Sequence, residues 1–303
     1  MRWEGRLLRL GTGPRLLTRP DIATHDTRLP LSRRHLSVSL VCLSDLLQTA
    51  LELGIRFYRL ASQFVPVFCR DDLVAFREEL QESASVLRWV AELMGREGVR
   101  LTAHPFLQVQ LAAAEPQRRE GALAAACAWA ELLDSLELGP ECRIVVHAAD
   151  PQGFREGFSC LPAAVQGRLA LENEPSGASL ATLLALSLEC GLPLVFDYQH
   201  YRCTGGEAQG LAEVLQAAWR TWRPGERPEV HFSTPRTNLE HGRAPSAVAH
   251  ADFVDPFAFA DFAATVLPLG DCDVFLEARA KDLALLKLRA DVARFSGGRI
   301  ELG

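Results

Sequence analysis

Short apolar runs that stop abruptly at a polar residue recur along this chain of 303 residues. Leu169-Ala170-Leu171-Glu172-Asn173-Glu174 is the clearest: a buried-strand pattern that ends in a carboxylate, an amide and a second carboxylate. Runs at 7–10, 55–60, 99–103, 143–147, 169–172, 193–197, 229–232 and 273–277 are predicted as strands. Segments with helical spacing separate them, at 36–53, 73–95, 117–136, 180–190, 211–221 and 281–295. Eight strands alternating with helices predict a single-domain (β/α)8 TIM barrel over residues 1–303, ending in a C-terminal helix at about 281–295. A doubly wound dinucleotide fold would need a glycine-rich turn opening a helix after the first strand. Here Gly11-Thr12-Gly13 runs into Pro14 and Arg15 with no third glycine, which excludes it. Walker-type, Gly-x-Ser-x-Gly and His-Glu-x-x-His motifs are absent from the sequence.

Composition adds constraints rather than a function. At 48% hydrophobic and 23% charged residues the chain reads as globular, and no apolar run of membrane-spanning length occurs. Met1-Arg2-Trp3-Glu4-Gly5-Arg6 lacks the pattern of a secretory signal. Eight cysteines are scattered without a Cys-x-x-Cys pair, the usage expected of a reduced, cytoplasmic protein, here a monomer with no membrane partner. A net charge of −6 argues against a nonspecific polycation that coats nucleic acid. Residues 1–35 nevertheless carry eight arginines against three acids, +5, leaving −11 for the remainder. Such a basic stretch beside an acidic body has the makings of a phosphate-binding lip, or of an ordinary solvated surface.

The strand ends concentrate the chemistry. Catalytic groups of a barrel sit at the C-terminal ends of its strands. Of the eight histidines, His104, His147, His200 and His231 fall at those ends and His250 in the loop after strand seven. Glu172, Asp197 and Glu277 end strands five, six and eight. A lone histidine there is ordinarily a hydrogen-bonded core residue, but five histidines with three carboxylates would be expensive to bury without compensation. Nitrogen with carboxylate oxygen is the ligand set of divalent cations such as Zn²⁺ or Mn²⁺. Glu172, central in the set, is placed to bridge two ions, the arrangement of multinuclear hydrolases acting on phosphodiesters. Glu174 is taken to face the other way and has the weaker claim.

Read in order, Arg59-Leu60, His104-Pro105, His147, Leu171-Glu172-Asn173-Glu174, Phe196-Asp197-x-x-His200, Val230-His231, His250-Ala251-Asp252 and Glu277-Ala278-Arg279-Ala280-Lys281 resemble the UV damage endonuclease family. The resemblance runs from about Leu8 to Lys281. That family consists of TIM barrels related to endonuclease IV and the xylose-isomerase-like enzymes. The resemblance implies a manganese-dependent endonuclease with two or three ions, cutting damaged double-stranded DNA 5′ to UV photoproducts. The implied ligands are His104, His147, Glu172, Asp197, His200, His231, His250 and Glu277. Glu172 and Lys281 are the implied catalytic residues, and Arg59 and Asn173 the supports that orient ligands.

The sequence also departs from the family pattern. Gln63 stands where a better metal ligand is common, weakening a third ion site. Glu229 stands where some members carry a lysine open to carbamate formation. Phe106-Leu107-Gln108 replaces the usual glutamine-aromatic lesion probe, and Thr12 replaces a tyrosine, leaving these four as the expected DNA-binding or lesion-probing positions. The alternative is a metal-dependent barrel of the xylose-isomerase-like group acting on a small molecule or peptide.

Overall fold

Each strand is a run of four or five residues, short enough to be buried on both faces, and parallel pairing closes the eight into a ring. In the computed structural model, which describes residues 6–25, 34–105, 108–239, 243–297 and 300–303, these are β1 (Leu8–Thr12), β2 (Phe57–Leu60), β3 (Arg100–Ala103), β4 (Ile144–His147), β5 (Leu169–Glu172), β6 (Leu194–Asp197), β7 (Glu229–Phe232) and β8 (Cys272–Leu276). All neighbours are parallel, and β1 pairs with both β2 and β8, so the chain is a single-domain TIM barrel, as the alternating pattern predicts. Gly11 makes the closure possible at β1: a Cβ there would lie 2.2 Å from the Phe57 ring.

The helices of the outer layer are α1 (Leu36–Glu52), α2 (Arg70–Glu82), α3 (Ala84–Glu97), α4 (Pro116–Ser135), α5 (Pro151–Ser159), α6 (Ala163–Gln166), α7 (Leu180–Cys190), α8 (Tyr198–Cys203), α9 (Leu211–Trp219), α10 (Pro256–Val266) and α11 (Lys281–Phe295). The helix expected over 73–95 is two, because Ser83 leaves helical geometry at φ −89°, ψ 5° while staying wholly buried. The patterning also passed over α5 and α10. Both begin at an Asp-Pro step whose aspartate caps the first turn, Asp150 accepting from Gln152 and Asp255 from Phe257. That capping signature was available in the sequence.

Alternation in each strand divides core from site. Outward-facing residues such as Phe232 pack under the helices, against Phe259 and Phe262 of α10. The inward sets run Arg100-Thr102-His104, Val145-His147, Ala170-Glu172, Val195-Asp197, Glu229-His231 and Asp273-Phe275-Glu277. An apolar floor of Val145, Ala170, Val195 and Trp222 therefore lies beneath the polar mouth. The mouth is where the period-two pattern delivers a His or carboxylate from six different strands or their ends.

Candidate metal centre

Glu172 is fully buried at the tip of β5, and its two oxygens face opposite partners. Oε2 lies 2.9 Å from His147 Nε2 and 3.2 Å from His104 Nε2, with the two imidazoles 3.1 Å apart at these nitrogens. Oε1 lies 2.6 Å from His231 Nδ1. Two compact groups result: His104, His147 and Glu172, and Glu172, Asp197, His231 and Glu277, each with its ligand atoms within 4.8 Å of one another. Glu172 belongs to both.

The surrounding residues hold these groups in orientation. Glu229, fully buried at the start of β7, lies 3.2 Å from His231 Nε2 and accepts from the Thr102 hydroxyl at 3.1 Å. Asn173 joins β5 to β6: its Nδ2 donates to the Asp197 carbonyl at 3.0 Å and its Oδ1 accepts from the Asp197 N–H at 2.8 Å. Arg59 donates to Glu277 at 2.6 Å, reaches His231 Nε2 at 2.6 Å and stacks 3.5 Å over the Phe275 ring. Glu174 is a correction. Its Oε2 lies 3.1 Å from His147 Nδ1, so it faces the mouth rather than away from it. Residues two apart on a strand share a face, and that parity was the available signal.

His200 and His250 stand at the edge. His200 Nδ1 contacts the Asn173 carbonyl at 2.8 Å and sits 3.7 Å from Asp197 and 3.9 Å from Glu172. His250 Nδ1 meets the Ser233 hydroxyl at 2.7 Å, and its Nε2 lies 3.3 Å from Glu277. Lys281 opens α11 at φ 50°, a left-handed conformation uncommon for a side-chain-bearing residue. Asp282 anchors that turn, accepting from Leu17 N and Thr18 N, at 2.5 and 3.0 Å. Burial first, then Arg59, lowers the Lys281 pKa despite Glu277 nearby.

The expected DNA-probing positions fare differently. Thr12 is completely buried at the end of β1, enclosed by the barrel rather than presented at a surface. Gln108 is also buried, its Nε2 donating to the Val65 carbonyl at 2.7 Å and its Oε1 accepting from Trp129 at 3.3 Å. Both ends of the amide are engaged in internal contacts. Phe106 and Leu107 lie outside the described residues, as do Arg2, Arg28 and Arg33 of the basic stretch. Gln63 is exposed on the 3-10 turn after β2 and makes no hydrogen bond to any described residue.

The electrostatics test whether cations fit. Burial alone would drive both His147 and His231 toward neutrality, yet neighbouring carboxylates raise each to about 10. His104, dominated by burial, falls to about 3. Burial raises Asp197 to about 7, and its Oδ2 is enclosed without a hydrogen-bond partner. Protons on imidazoles are thus neutralising a carboxylate cluster, with one oxygen left over. Divalent cations would take over that neutralisation using the same nitrogens and oxygens, and the donor set suits them.

A closed parallel barrel that gathers imidazoles and carboxylates at the C-terminal ends of its strands has the architecture of the (β/α)8 enzymes. Residues 33–300 match the family model for UV-endonuclease UvdE, and the chain belongs to that family. A UV DNA damage endonuclease of Bacillus pumilus is 27% identical over 273 residues, 83% of this chain and 81% of its own length. The Bacillus velezensis enzyme of the same name is 27% identical over 297 residues, covering 89% and 87%. Among solved structures, SacUVDE superposes with a TM-score of 0.78 at 23% identity, over 95% of this chain and 99% of that one. Endonuclease IV of Thermus thermophilus gives 0.56 at 16% identity, over 95% and 99%. These two structural likenesses concern the fold.

Proposed function

We propose that this protein is a divalent-metal-dependent DNA repair endonuclease that cleaves the phosphodiester backbone 5′ to UV photoproducts or related lesions. The observation that carries the reading is Glu172, one buried carboxylate shared between two ligand groups. Membership of the UvdE family and relatives named UV DNA damage endonuclease support DNA as the substrate. Eight cysteines, none in a disulfide, suit a reducing compartment such as the cytoplasm.

His104 and His147 would hold one cation with Glu172 Oε2, and Asp197, His231 and Glu277 a second with Oε1; His200 and His250 flank the second group. Mn²⁺ is the cation we favour, with Zn²⁺ as alternative; bound there, such ions supply Lewis acidity that activates water and stabilises charge around phosphorus. Glu174 and Glu229 contact the outer ring nitrogens of His147 and His231, which fixes each ring and leaves the opposite nitrogen for its ligand. Asn173 ties the Asp197 backbone to β5, and Arg59 keeps Glu277 charged and in place. The Lys281 ammonium, partly buried beside Glu277, would meet a phosphate oxygen in this reading.

The test is plasmid nicking. Supercoiled DNA, irradiated or not, is incubated with the protein and Mn²⁺. The expected outcome is nicking confined to irradiated DNA, abolished by EDTA, with the break mapping immediately 5′ of the photoproduct. Equal nicking of both plasmids, or none with any divalent ion, would remove the reading.

A further inference from the structure

The N-terminal end of the barrel, opposite the histidine-carboxylate mouth, holds a cavity of about 610 Å³. It opens where the chain enters β1, β7 and β8, and its wall carries Arg6, Arg220, Arg223 and Arg227 beside the indoles of Trp219 and Trp222. Two carboxylates share the wall, and both are committed. Glu226 accepts two bonds from Arg143 at 2.8 and 2.7 Å. Asp271 accepts from Arg227 at 3.1 Å and from the Leu7 N–H at 3.0 Å. Arg6, Arg220 and Arg223 thus line the cavity with no carboxylate partner among the described residues.

A second observation locates where an anion would sit. The Trp219 indole N–H is buried and has no acceptor among the described residues. A Cβ built on Gly270, which sits at φ +145°, would meet Arg6 Nη1 at 3.4 Å and Trp219 Nε1 at 3.9 Å. The missing side chain leaves a niche beside two donors, the exposed guanidinium of Arg6 and the enclosed, unpaired N–H of Trp219. An enclosed N–H is costly to leave unpaired, and a guanidinium beside it matches the geometry of a phosphoryl oxygen.

We propose that this niche binds a phosphate-bearing ligand of nucleotide size, its oxyanion received by Arg6 and the Trp219 N–H above Gly270. Arg220 and Arg223 meet the remaining charge, and the indole wall accepts the apolar part. The volume falls in the range of small-molecule sites. A duplex at the catalytic mouth lies at the other end of the barrel, so a concave niche here suits a free nucleotide better than the DNA being cut.

Calorimetric titration of the full chain in EDTA at low salt, with AMP, inorganic phosphate and a short single-stranded oligonucleotide as probes, tests this. AMP is expected to bind saturably and at least about ten-fold tighter than phosphate. Arg6→Ala, an exposed position, should weaken it by about ten-fold or more, and Trp219→Phe, which keeps an aromatic ring but removes the donor, by several-fold. Glu172→Gln should leave binding unchanged, and Arg6→Ala should leave nicking of irradiated plasmid unchanged. Tighter binding of the oligonucleotide than of AMP, lost in the same two variants, would support the site with a strand phosphate as its ligand. Absence of saturable binding by all three probes would overturn the proposal. So would native affinity in both Arg6→Ala and Trp219→Phe.

Discussion

The two ends of the barrel interior bury comparable charge and handle it in opposite ways. At the N-terminal end each buried carboxylate meets a guanidinium: Asp273 binds Arg100 at 2.7 Å and Arg9 at 2.8 Å, and Arg100 also reaches Glu229 at 3.4 Å and the Arg227 carbonyl at 2.8 Å. At the C-terminal mouth Glu172, Asp197 and Glu277 face mainly imidazoles, with Arg59 the guanidinium among them. Buried charge requires compensation wherever it sits. The N-terminal end pairs its buried carboxylates with permanent cations, Arg9 and Arg100 on Asp273 and Arg100 on Glu229. The mouth relies on protons that a metal ion can displace, and Asp197 Oδ2 is left unpaired. Under the proposed function, the chemistry belongs to the end with exchangeable compensation, and stability to the end with permanent compensation.

Substitutions that separate chemistry from stability test this contrast most directly. Glu172→Gln should cut nicking of irradiated DNA by roughly a thousand-fold or more, since several kcal/mol of metal-derived charge stabilisation is lost. Loss of activity within a factor of a few would deny Glu172 its shared role. At the other end, Asp273→Asn strands Arg9 and Arg100 and should cost about 3–5 kcal/mol in urea unfolding, leaving metal affinity intact. A stability loss below about 1 kcal/mol would show that the lower network contributes little. Glu174→Gln removes the carboxylate behind His147 and should weaken metal binding by about 10–100-fold with the fold unchanged.

A further expected effect is a pH slope. His147 and His231 stand at about 10 in the folded, metal-free protein against an ordinary 6.5, so the native state binds those protons more strongly than the unfolded chain. The stability they contribute is complete below about 6.5 and lost as pH rises through about 10. Thermal melts in EDTA should therefore fall between pH 6.5 and 10, and saturating Mn²⁺, which holds the imidazoles unprotonated, should flatten that fall. A melt independent of pH in EDTA would contradict protonated imidazoles as the compensating charge.

Much of the site was legible because a strand has a period of two and a barrel uses strand ends. His104, His147, Glu172, Asp197 and Glu277 could be picked out one strand at a time, each from an apolar run that stopped at a polar residue, and His231 from within strand seven. Glu229 was noticed as a substitution, but its contacts with Arg100, Thr102 and His231 come from three different strand positions. Gln108 shows the reverse: its neighbours in sequence suggested a surface probe, while Trp129 of α4 and the Val65 carbonyl draw it inside. No local pattern distinguishes an amide that meets DNA from one that meets the core.

The sequence by itself determined the alternation of elements, hence the barrel, and which residues reach the strand ends, because periodicity and burial act over a few neighbouring positions. Only the tertiary structure decided which oxygen of Glu172 faces which ligands, that Glu174 supports His147 from behind, and that Arg6 and Trp219 converge at the far end. Those pairings join residues dozens to hundreds of positions apart, and their distances depend on how the ring of strands closes rather than on any local preference of the chain.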